Sequence, residues 1–376
     1  IETEHGDIPK LLFELAAKAK NASARTGRAD FADGLAYTYV LQFRFFETAE
    51  QRHALFRGLL DAVEADIVTA SQDLEKAAHV APVHGQFATI RQLWDLMSTP
   101  TESEYEIMQQ LQERLVKSCL DSWNTVKDIL CNDSPEGHIL PGSNPSNDVD
   151  IKSILSYCFR ACHESSLLVQ ALVRKLSMKT ANGQPFLPFS SFEKLGNLTF
   201  EELSTLRHRG AFSTVSLTFT QVCRATQTPS IIHNGGSAVL ESWYQGALAC
   251  IAEQNSTTRR SAGIPALITG ILSASSKELS FDTIMNKLQA MARAPVFDTG
   301  KDEVQLSQVH AMNSLKDIFK SATLGKKADS YITNCFQIAA DSMKSNIWAI
   351  SNCGLLLVKA LIDCMLGTSE SKATAE

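Results

Sequence analysis

The chain has 376 residues, of which 44% are hydrophobic and 20% are charged, and its formal net charge is −6. This balance is typical of a folded protein and excludes a disordered chain. The acidic net charge argues against a protein that coats nucleic acid indiscriminately, although a local basic face remains compatible with it. The length suits two ordinary domains or one elongated array of repeats.

The apolar runs are too short to span a bilayer. The longest, from Gly354 to Ile362, contains Lys359, so the sequence predicts no membrane span. The start lacks a signal-peptide pattern, and because it begins with Ile1 we expect a fragment of a longer protein. The nine cysteines are scattered, mostly within apolar helical patterns, which predicts reduced thiols in an intracellular, cytoplasmic protein.

Apolar residues recur at helical spacing throughout the first third of the chain. They predict helices over 8–20, 30–46, 51–77 and 84–97. Thr101 and Glu104 have capping-box spacing, which predicts a further helix ending near residue 130. Residues 132–149 instead contain three prolines and two glycines and are predicted to form a flexible loop.

The rest of the chain is also predicted to be helical. One helix covers 149–178, and a second capping box, Thr199 with Glu202, predicts a helix that ends near Gly210. Gly235-Gly236 is interpreted as a turn between helices. The remaining predicted helices cover 212–227, 238–254, 266–275, 281–292, 302–321, 328–343 and 346–366.

This pattern predicts an all-α protein, because no stretch alternates polar and apolar residues as a half-buried strand does. We favour an α-solenoid of HEAT or armadillo-like repeats over an all-α bundle, since one compact core rarely grows past about 300 residues. The predicted organisation is N-terminal helical repeats over 1–131, the loop at 132–149, further repeats over 150–367 and a tail at 368–376.

Sequence motifs for catalysis or cofactor binding are missing. The chain lacks a glycine-rich dinucleotide or phosphate loop, a His-Glu-x-x-His zinc motif and a Gly-x-Ser-x-Gly elbow. Cys158 and Cys162 would share one helix face, but His163 would point elsewhere, so we predict no metal site. The sequence therefore predicts a protein that is not an enzyme and binds no cofactor.

One stretch has unusual chemistry. Arg259 and Arg260 are followed at once by Ser261, an alanine, Gly263 and then Pro265. Arginine guanidinium groups fit phosphate or carboxylate in two-pronged fashion, and a glycine would let a partner approach the backbone closely. The proline clashes with a helical carbonyl four residues back, which predicts an irregular backbone from Ser261 to Pro265. The alternative is that both arginines are ordinary residues at a helix start or in salt bridges between repeats.

Basic residues outnumber acidic ones in two regions. If stacked helices bring them to one side, they form a stripe that follows a phosphate backbone; an ordinary solvated face is the open alternative. The first region contains Arg207, Arg209, Arg224, Arg259 and Arg260, and the second contains Lys316, Lys320, Lys326, Lys327 and Lys344.

Several of these stretches resemble the THADA-like family. Arg259-Arg260-Ser261-Ala262-Gly263-Ile264-Pro265 is similar to its Arg-Arg-Ser-Ala-Gly-Leu-Pro signature, with isoleucine in place of leucine. Residues 206–212 resemble its (R/K)HxGAF step. Residues 309–315, 324–325 and 348–352 resemble its VHALNxL…LG…WxxRN tail, with serine where the family often has the arginine.

Two weaker matches lie nearer the N-terminus. Ser156-Tyr157-Cys158-Phe159-Arg160, followed by Glu164-Ser165-Ser166, is one of them, and Pro82-Val83-His84-Gly85 is the other. The matches together span most of the chain, in the order in which the family has them.

The resemblance implies a helical-repeat protein without catalytic activity. The fungal member partners an FtsJ-like tRNA ribose methyltransferase and directs 2′-O-methylation to the first nucleotide of the anticodon loop, while S-adenosylmethionine binds the partner. We therefore expect this chain to contact that enzyme and tRNA. A general solenoid scaffold without an RNA role is the alternative, and a stand-alone hydrolase or transferase is disfavoured. The predicted contact residues are Arg259, Arg260, Ser261, Gly263, Pro265, Arg207, His208, Arg209, Lys316, Lys320, Lys326 and Lys327.

Overall fold

The computed structural model describes residues 8–26, 29–132, 148–177, 187–253, 263–274, 279–295 and 306–367. Within these ranges the chain is helical and contains no β-strand, which confirms the all-α prediction. The α-helices are α1 Ile8–Thr26, α2 Ala29–Phe45, α3 Ala49–Gln72, α4 Leu74–Val80, α5 His84–Leu96, α6 Tyr105–Leu130, α7 Asp148–Arg174, α8 Phe189–Thr205, α9 Arg209–Ala225, α10 Pro229–Ile232, α11 Gly236–Glu253, α12 Gly263–Leu272, α13 Phe281–Ala292, α14 Ser307–Lys320, α15 Ala322–Lys327, α16 Ile332–Met343 and α17 Trp348–Leu366.

Local signals placed several helix boundaries correctly. The predicted capping box forms, with the Thr101 backbone N–H donating to the Glu104 carboxylate at 2.9 Å; the Thr101 hydroxyl also donates to this carboxylate, at 2.7 Å. A 3-10 turn at Glu102–Glu104 then leads into α6. Gly235 lies between α10 and α11 with φ 111°, a conformation that strongly favours glycine, so the predicted turn is confirmed.

The single helix predicted over 51–77 is wrong. Two helices, α3 and α4, are separated by Asp73, whose backbone is extended. The Asp73 carboxylate accepts from the Lys76 backbone N–H at 2.9 Å and so caps α4. An aspartate side chain that satisfies a free N–H starts a new helix even where the apolar spacing continues.

The second predicted capping box is also wrong. Thr199 and Glu202 are buried inside α8, which begins at Phe189 and ends at Thr205 rather than near Gly210. The Thr199 hydroxyl donates to the Gly196 carbonyl at 2.9 Å. A threonine inside a helix satisfies its hydroxyl in this way, so the same residue spacing fits a helix interior.

The predicted loop and tail fall largely on residues 133–147 and 368–376, which lie outside the described residues. The predicted domain division therefore stays a prediction. The chain separates into two compact units: unit 1 comprises Ile1–Glu202 with His208–Thr218, and unit 2 comprises Leu203–Arg207 with Phe219–Glu376.

Unit 1 is built from helices that pack pairwise. α2 packs against α1 and α5, and α7 packs against α4, α5 and α6. α3 closes the unit by contacting α5 and α6. Phe56 and Trp94, both fully buried, meet in the core with ring centroids 6.1 Å apart. Such large aromatic side chains dominate the burial that stabilises a helical core.

Unit 2 is organised around α14. This helix packs against α11, α12, α13 and α17, and α16 packs on α17 and α13. The buried residues of α14 include His310, Leu315 and Phe319. A helix that is apolar on several faces in this way occupies the centre of its unit.

Helix α17 is the described helix that is long and apolar enough to cross a membrane by length and composition. In unit 2 one face of this helix is buried and packs against α14 and α16. A β-carbon on Gly354 would lie 2.8 Å from the Ala339 carbonyl oxygen, so glycine permits the close contact between α17 and α16.

Candidate functional site

The described part of the family signature forms the start of a buried helix. Gly263, Ile264 and Pro265 are the first residues of α12, and all three are buried. A β-carbon on Gly263 would lie 1.7 Å from the Leu203 carbonyl oxygen and 2.9 Å from its carbonyl carbon. The close backbone approach predicted at this glycine is therefore made by Leu203, a residue of the same unit.

The irregular backbone predicted from Ser261 to Pro265 is wrong for its described part. Pro265 is the third helical residue of α12, and the N–H groups of a first turn have no intrahelical partner. Proline is tolerated there because it removes no helical hydrogen bond. Arg259, Arg260 and Ser261 lie outside the described residues, so their predicted contacts stay predictions.

Helix α12 is held on more than one side. Its apolar residues Leu267, Ile268 and Ile271 are fully buried, and it packs against α11 and α14. A β-carbon on Gly270 would lie 2.8 Å from the Phe219 ring. The helix that follows the two arginines in sequence is thus fixed within unit 2 by close packing.

The predicted contact residue His208 has a structural role in unit 1. Its Nδ1 accepts from the Ala211 backbone N–H at 3.2 Å, which caps α9. Its backbone N–H donates to the Leu130 carbonyl at 3.2 Å. The imidazole also stacks on Phe159, with ring centroids 5.1 Å apart. These contacts fix the ring as the tautomer that carries its proton on Nε2.

The neighbouring arginines have different surroundings. Arg207, in unit 2, is half-buried, and its Nη1 lies 3.5 Å from the Leu206 carbonyl. Arg209, in unit 1, is exposed at the first position of α9. The two residues belong to different compact units, and the predicted common basic stripe stays a prediction.

The predicted lysines lie on α14 and α15 of unit 2. Lys316 is half-buried and forms an ion pair with Asp317 at 3.2 Å. Lys320, Lys326 and Lys327 are exposed, the first at the end of α14 and the other two at the end of α15. These three exposed lysines define a basic patch, named here the α14–α15 lysine patch.

The helix that presents this patch is itself closely packed. Gly325 is buried, and a β-carbon there would lie 3.0 Å from the Phe319 carbonyl oxygen and 3.2 Å from the Cys364 sulfur. The Ser321 hydroxyl caps α15 by accepting from the Leu324 N–H at 3.4 Å. The close packing of Leu324 and Gly325 therefore fixes the positions of Lys326 and Lys327 at the end of α15.

The cluster of Cys158, Cys162 and His163 is part of the unit 1 core. Both thiols are buried, and the His163 Nδ1 lies 2.7 Å from the Thr214 hydroxyl. Burial raises the pKa of the Cys158 thiol to about 12. Across the described ranges, no group of three His, Cys, Asp or Glu side chains has a geometry that could hold a metal ion.

Comparison with known proteins identifies the class of this all-α chain. The profile of the family described as THADA/TRM732, DUF2428, matches residues 110–349, and the chain belongs to this family. A relative from Schizosaccharomyces pombe, named tRNA (32-2′-O)-methyltransferase regulator trm732, is 30% identical over 359 residues, which is 92% of this chain and 24% of the relative.

Two animal relatives have the same kind of name. The tRNA (32-2′-O)-methyltransferase regulator THADA of Mus musculus is 29% identical over 60% of this chain and 12% of its own length. The Homo sapiens protein of that name is 27% identical over 73% of this chain and 15% of its own length. The chain thus spans about a quarter or less of the curated relatives named here. No solved structure matches it significantly.

Proposed function

We propose that this chain is the region of a tRNA methyltransferase regulator that positions both enzyme and tRNA. In this proposal it partners an FtsJ-like ribose methyltransferase and directs 2′-O-methylation to the first nucleotide of the anticodon loop. Family membership and the names of the relatives support the regulatory role. The chain itself would be non-catalytic and cytoplasmic, and the methyltransferase would bind S-adenosylmethionine.

The observation that carries this proposal is the packing of Gly263 against Leu203. Packing within unit 2 explains why the signature contains a glycine at this position, because a side chain would overlap the Leu203 carbonyl. The two arginines that precede α12 in the sequence have guanidinium groups, which fit phosphate or carboxylate in two-pronged fashion. We therefore assign the first half of the signature, Arg259 and Arg260, to partner or tRNA contact, and the second half to fixing α12.

The α14–α15 lysine patch is the second proposed contact. Its three lysines are exposed at two consecutive helix ends, so their charges are available to phosphate groups. We propose that the helix pairs of both units belong to a HEAT or armadillo-like solenoid in the complete protein, which would present such contacts along one surface.

Methylation of tRNA by the FtsJ-like enzyme, reconstituted with a full-length form of this protein, tests the proposal. Arg259→Ala with Arg260→Ala should abolish methylation while circular dichroism and the unfolding temperature stay unchanged. The control pair, Lys287→Ala with Arg293→Ala, removes the same charge from exposed positions in α13 and at its C-cap and should retain activity. Full activity of the arginine variant would refute the assignment of Arg259 and Arg260.

The general scaffold remains the competing function. It predicts that the protein has no affinity for tRNA at low salt, either alone or with the methyltransferase. A salt-dependent gel shift of tRNA would exclude that alternative. Normal protein partner binding without any tRNA shift would favour it over the proposed function.

A further inference from the structure

A cavity of about 430 Å³ in unit 1 is lined mainly by basic and hydroxyl-bearing side chains. It lies where the end of α1, α4, the start of α5 and the first half of α7 meet. Five lining residues have basic side chains and five have hydroxyl groups, and none of the lining residues is acidic. The basic residues are Arg25, His79, His84, Lys152 and Arg160, and the hydroxyl residues are Ser23, Thr26, Ser153, Ser156 and Tyr157.

Arg160 is a half-buried cationic residue of this lining. Its Nη1 is buried and has no hydrogen-bond partner among the described residues. A buried cationic donor without a partner is costly, because it has lost its water and gained no acceptor. Such a group is expected where an anionic ligand supplies the missing acceptor.

His84 adds a second polar group of the same kind. The side chain is buried, and its Nε2 lies 3.4 Å from the Ser23 hydroxyl, whereas Nδ1 is buried without a partner among the described residues. Burial, and secondarily the charge of Arg160, lowers the pKa of His84 to about 4. A neutral imidazole offers one N–H donor, so this ring contributes hydrogen bonding rather than charge.

Asp66, an acidic residue near this lining, already has polar partners. Asp66 lies close enough to Tyr157 to affect its hydroxyl electrostatically. Its carboxylate accepts from the Gln86 side-chain amide at 2.6 Å and forms an ion pair with Lys20 at 3.7 Å. Asp66 is therefore occupied by Gln86 and Lys20, and it is not hydrogen-bonded to Nη1 of Arg160.

We propose that this cavity is a phosphate-binding site, in which Arg160 anchors the anion, Lys152 and Arg25 attract it at the rim, and the Ser156 hydroxyl donates to one of its oxygens. A phosphate group matches this lining because it has several acceptor oxygens and fits the arginine fork. The volume lies in the range of sites for small ligands. The phosphate belongs either to a free phosphorylated small molecule or to RNA, and in the second case the inference rests on the proposed function.

Two stretches of the sequence that had no assigned role meet here. Ser156, Tyr157 and Arg160 come from one stretch that resembles the THADA-like family, and Pro82 with His84 comes from the other. The separation of these stretches in the chain hid their convergence from sequence analysis.

Thermal unfolding of the full chain in sodium phosphate and in sodium chloride, at matched pH and ionic strength, tests the site. Phosphate should raise the unfolding temperature of the wild type by roughly 2 °C at tenfold excess over its dissociation constant. Arg160→Gln should abolish this rise. Without phosphate it should unfold at the same or a higher temperature than the wild type, because it removes a buried N–H donor that has no acceptor.

Two further variants keep the test decisive even if Arg160→Gln folds poorly. Lys152→Gln, at an exposed rim position, should fold normally and require several-fold more phosphate for the same rise. Arg57→Gln, exposed on α3 and absent from the lining, should respond as the wild type does. An unchanged phosphate response in both cavity variants, or no response in the wild type, would overturn the proposal.

A second set of measurements identifies the source of the phosphate. Binding of a fluorescent anticodon stem-loop RNA and of adenosine monophosphate is compared for wild type and Lys152→Gln. Weaker RNA binding in the variant, with displacement of RNA by inorganic phosphate, assigns the site to RNA. Weaker nucleotide binding with unchanged RNA binding assigns it to a free phosphorylated molecule. Both results uphold the phosphate site, and neither depends on methylation, so failure of the proposed function is recognised separately.

Discussion

The Leu203 carbonyl oxygen lies so close to Gly263 that a β-carbon on the glycine would be 1.7 Å away from it. Because this neighbour is backbone, it cannot yield by changing a rotamer. We predict that Gly263→Ala destabilises unit 2 by about 3 kcal/mol or more, since α8 and α12 must separate. Chemical denaturation followed by circular dichroism measures this loss.

Gly58 provides the matched control for that substitution. It lies inside α3, is exposed, and has nothing within 4 Å of the position of its missing β-carbon. Gly58→Ala should stabilise the protein by about 0.5–1 kcal/mol, because alanine has the higher helix propensity. Equal effects of the two substitutions would contradict the close approach of Leu203 to Gly263.

The same pair of residues shows how far sequence reasoning reaches. A glycine lets another surface approach the backbone closely, and such a contact exists at Gly263. The sequence cannot tell which surface makes it, because Leu203 is distant in the chain and approaches only through tertiary packing. Sequence reasoning therefore assigns the contact to a partner, whereas the structure shows that it lies within unit 2.

The fold was predictable to a similar degree. Apolar spacing identifies helices and the all-α class, since it reports which faces are buried. Boundaries depend on single side-chain hydrogen bonds, as Asp73 and Thr199 show. Asp73 caps a new helix inside an uninterrupted apolar pattern, while Thr199 bonds within its own helix. Only the structure distinguishes these two uses of a polar side chain.

Glu202 makes stability dependent on pH. Its carboxyl is buried in α8, and burial, with the charge of Glu201 as a smaller cause, raises its pKa from 4.5 to about 8. The folded state therefore holds a proton that the unfolded state releases above pH 4.5. The contribution of this proton to the free energy of unfolding is fully present below pH 4.5, and it is lost as the pH rises to 8.

We accordingly predict that Glu202→Gln, which cannot ionise, becomes more stable relative to the wild type as pH rises from 5 to 8. The change over this range is on the order of a few kcal/mol, at about 1.4 kcal/mol per pKa unit. Urea midpoints of both proteins at several pH values measure the difference, in which other titrating groups largely cancel. Parallel pH profiles would show that Glu202 ionises normally in the folded protein.

Arg114 joins α6 to α3 through two carboxylates. Its Nε and Nη2 donate to the two oxygens of Glu64 at 2.9 and 2.8 Å, and Nη2 also donates to Asp61 at 2.6 Å. The groups are partly exposed, so water and salt weaken the attraction. We predict that Arg114→Met lowers the free energy of unfolding by about 1 kcal/mol at low salt and by less in 1 M sodium chloride.

The exposed pair of Lys117 and Asp121 on the same helix is the control for Arg114. Its partners lie one turn apart, and such pairs contribute only about 0.3–0.5 kcal/mol. Lys117→Met should therefore have the smaller effect in denaturation experiments. A loss at Arg114 that persists undiminished in 1 M salt would indicate that packing of its side chain, rather than charge, joins the two helices.

The α14–α15 lysine patch predicts a specific salt dependence of tRNA binding. Lys326 and Lys327 are exposed, so Lys326→Gln with Lys327→Gln should leave the unfolding temperature unchanged. If both contact phosphates, the slope of log affinity against log salt should become shallower by up to about 2, because each contact contributes about 0.7–0.9. Fluorescence anisotropy with labelled tRNA from 50 to 200 mM salt measures this slope. An identical slope in the variant would remove the patch from the tRNA interface and leave the two signature arginines as the proposed contact.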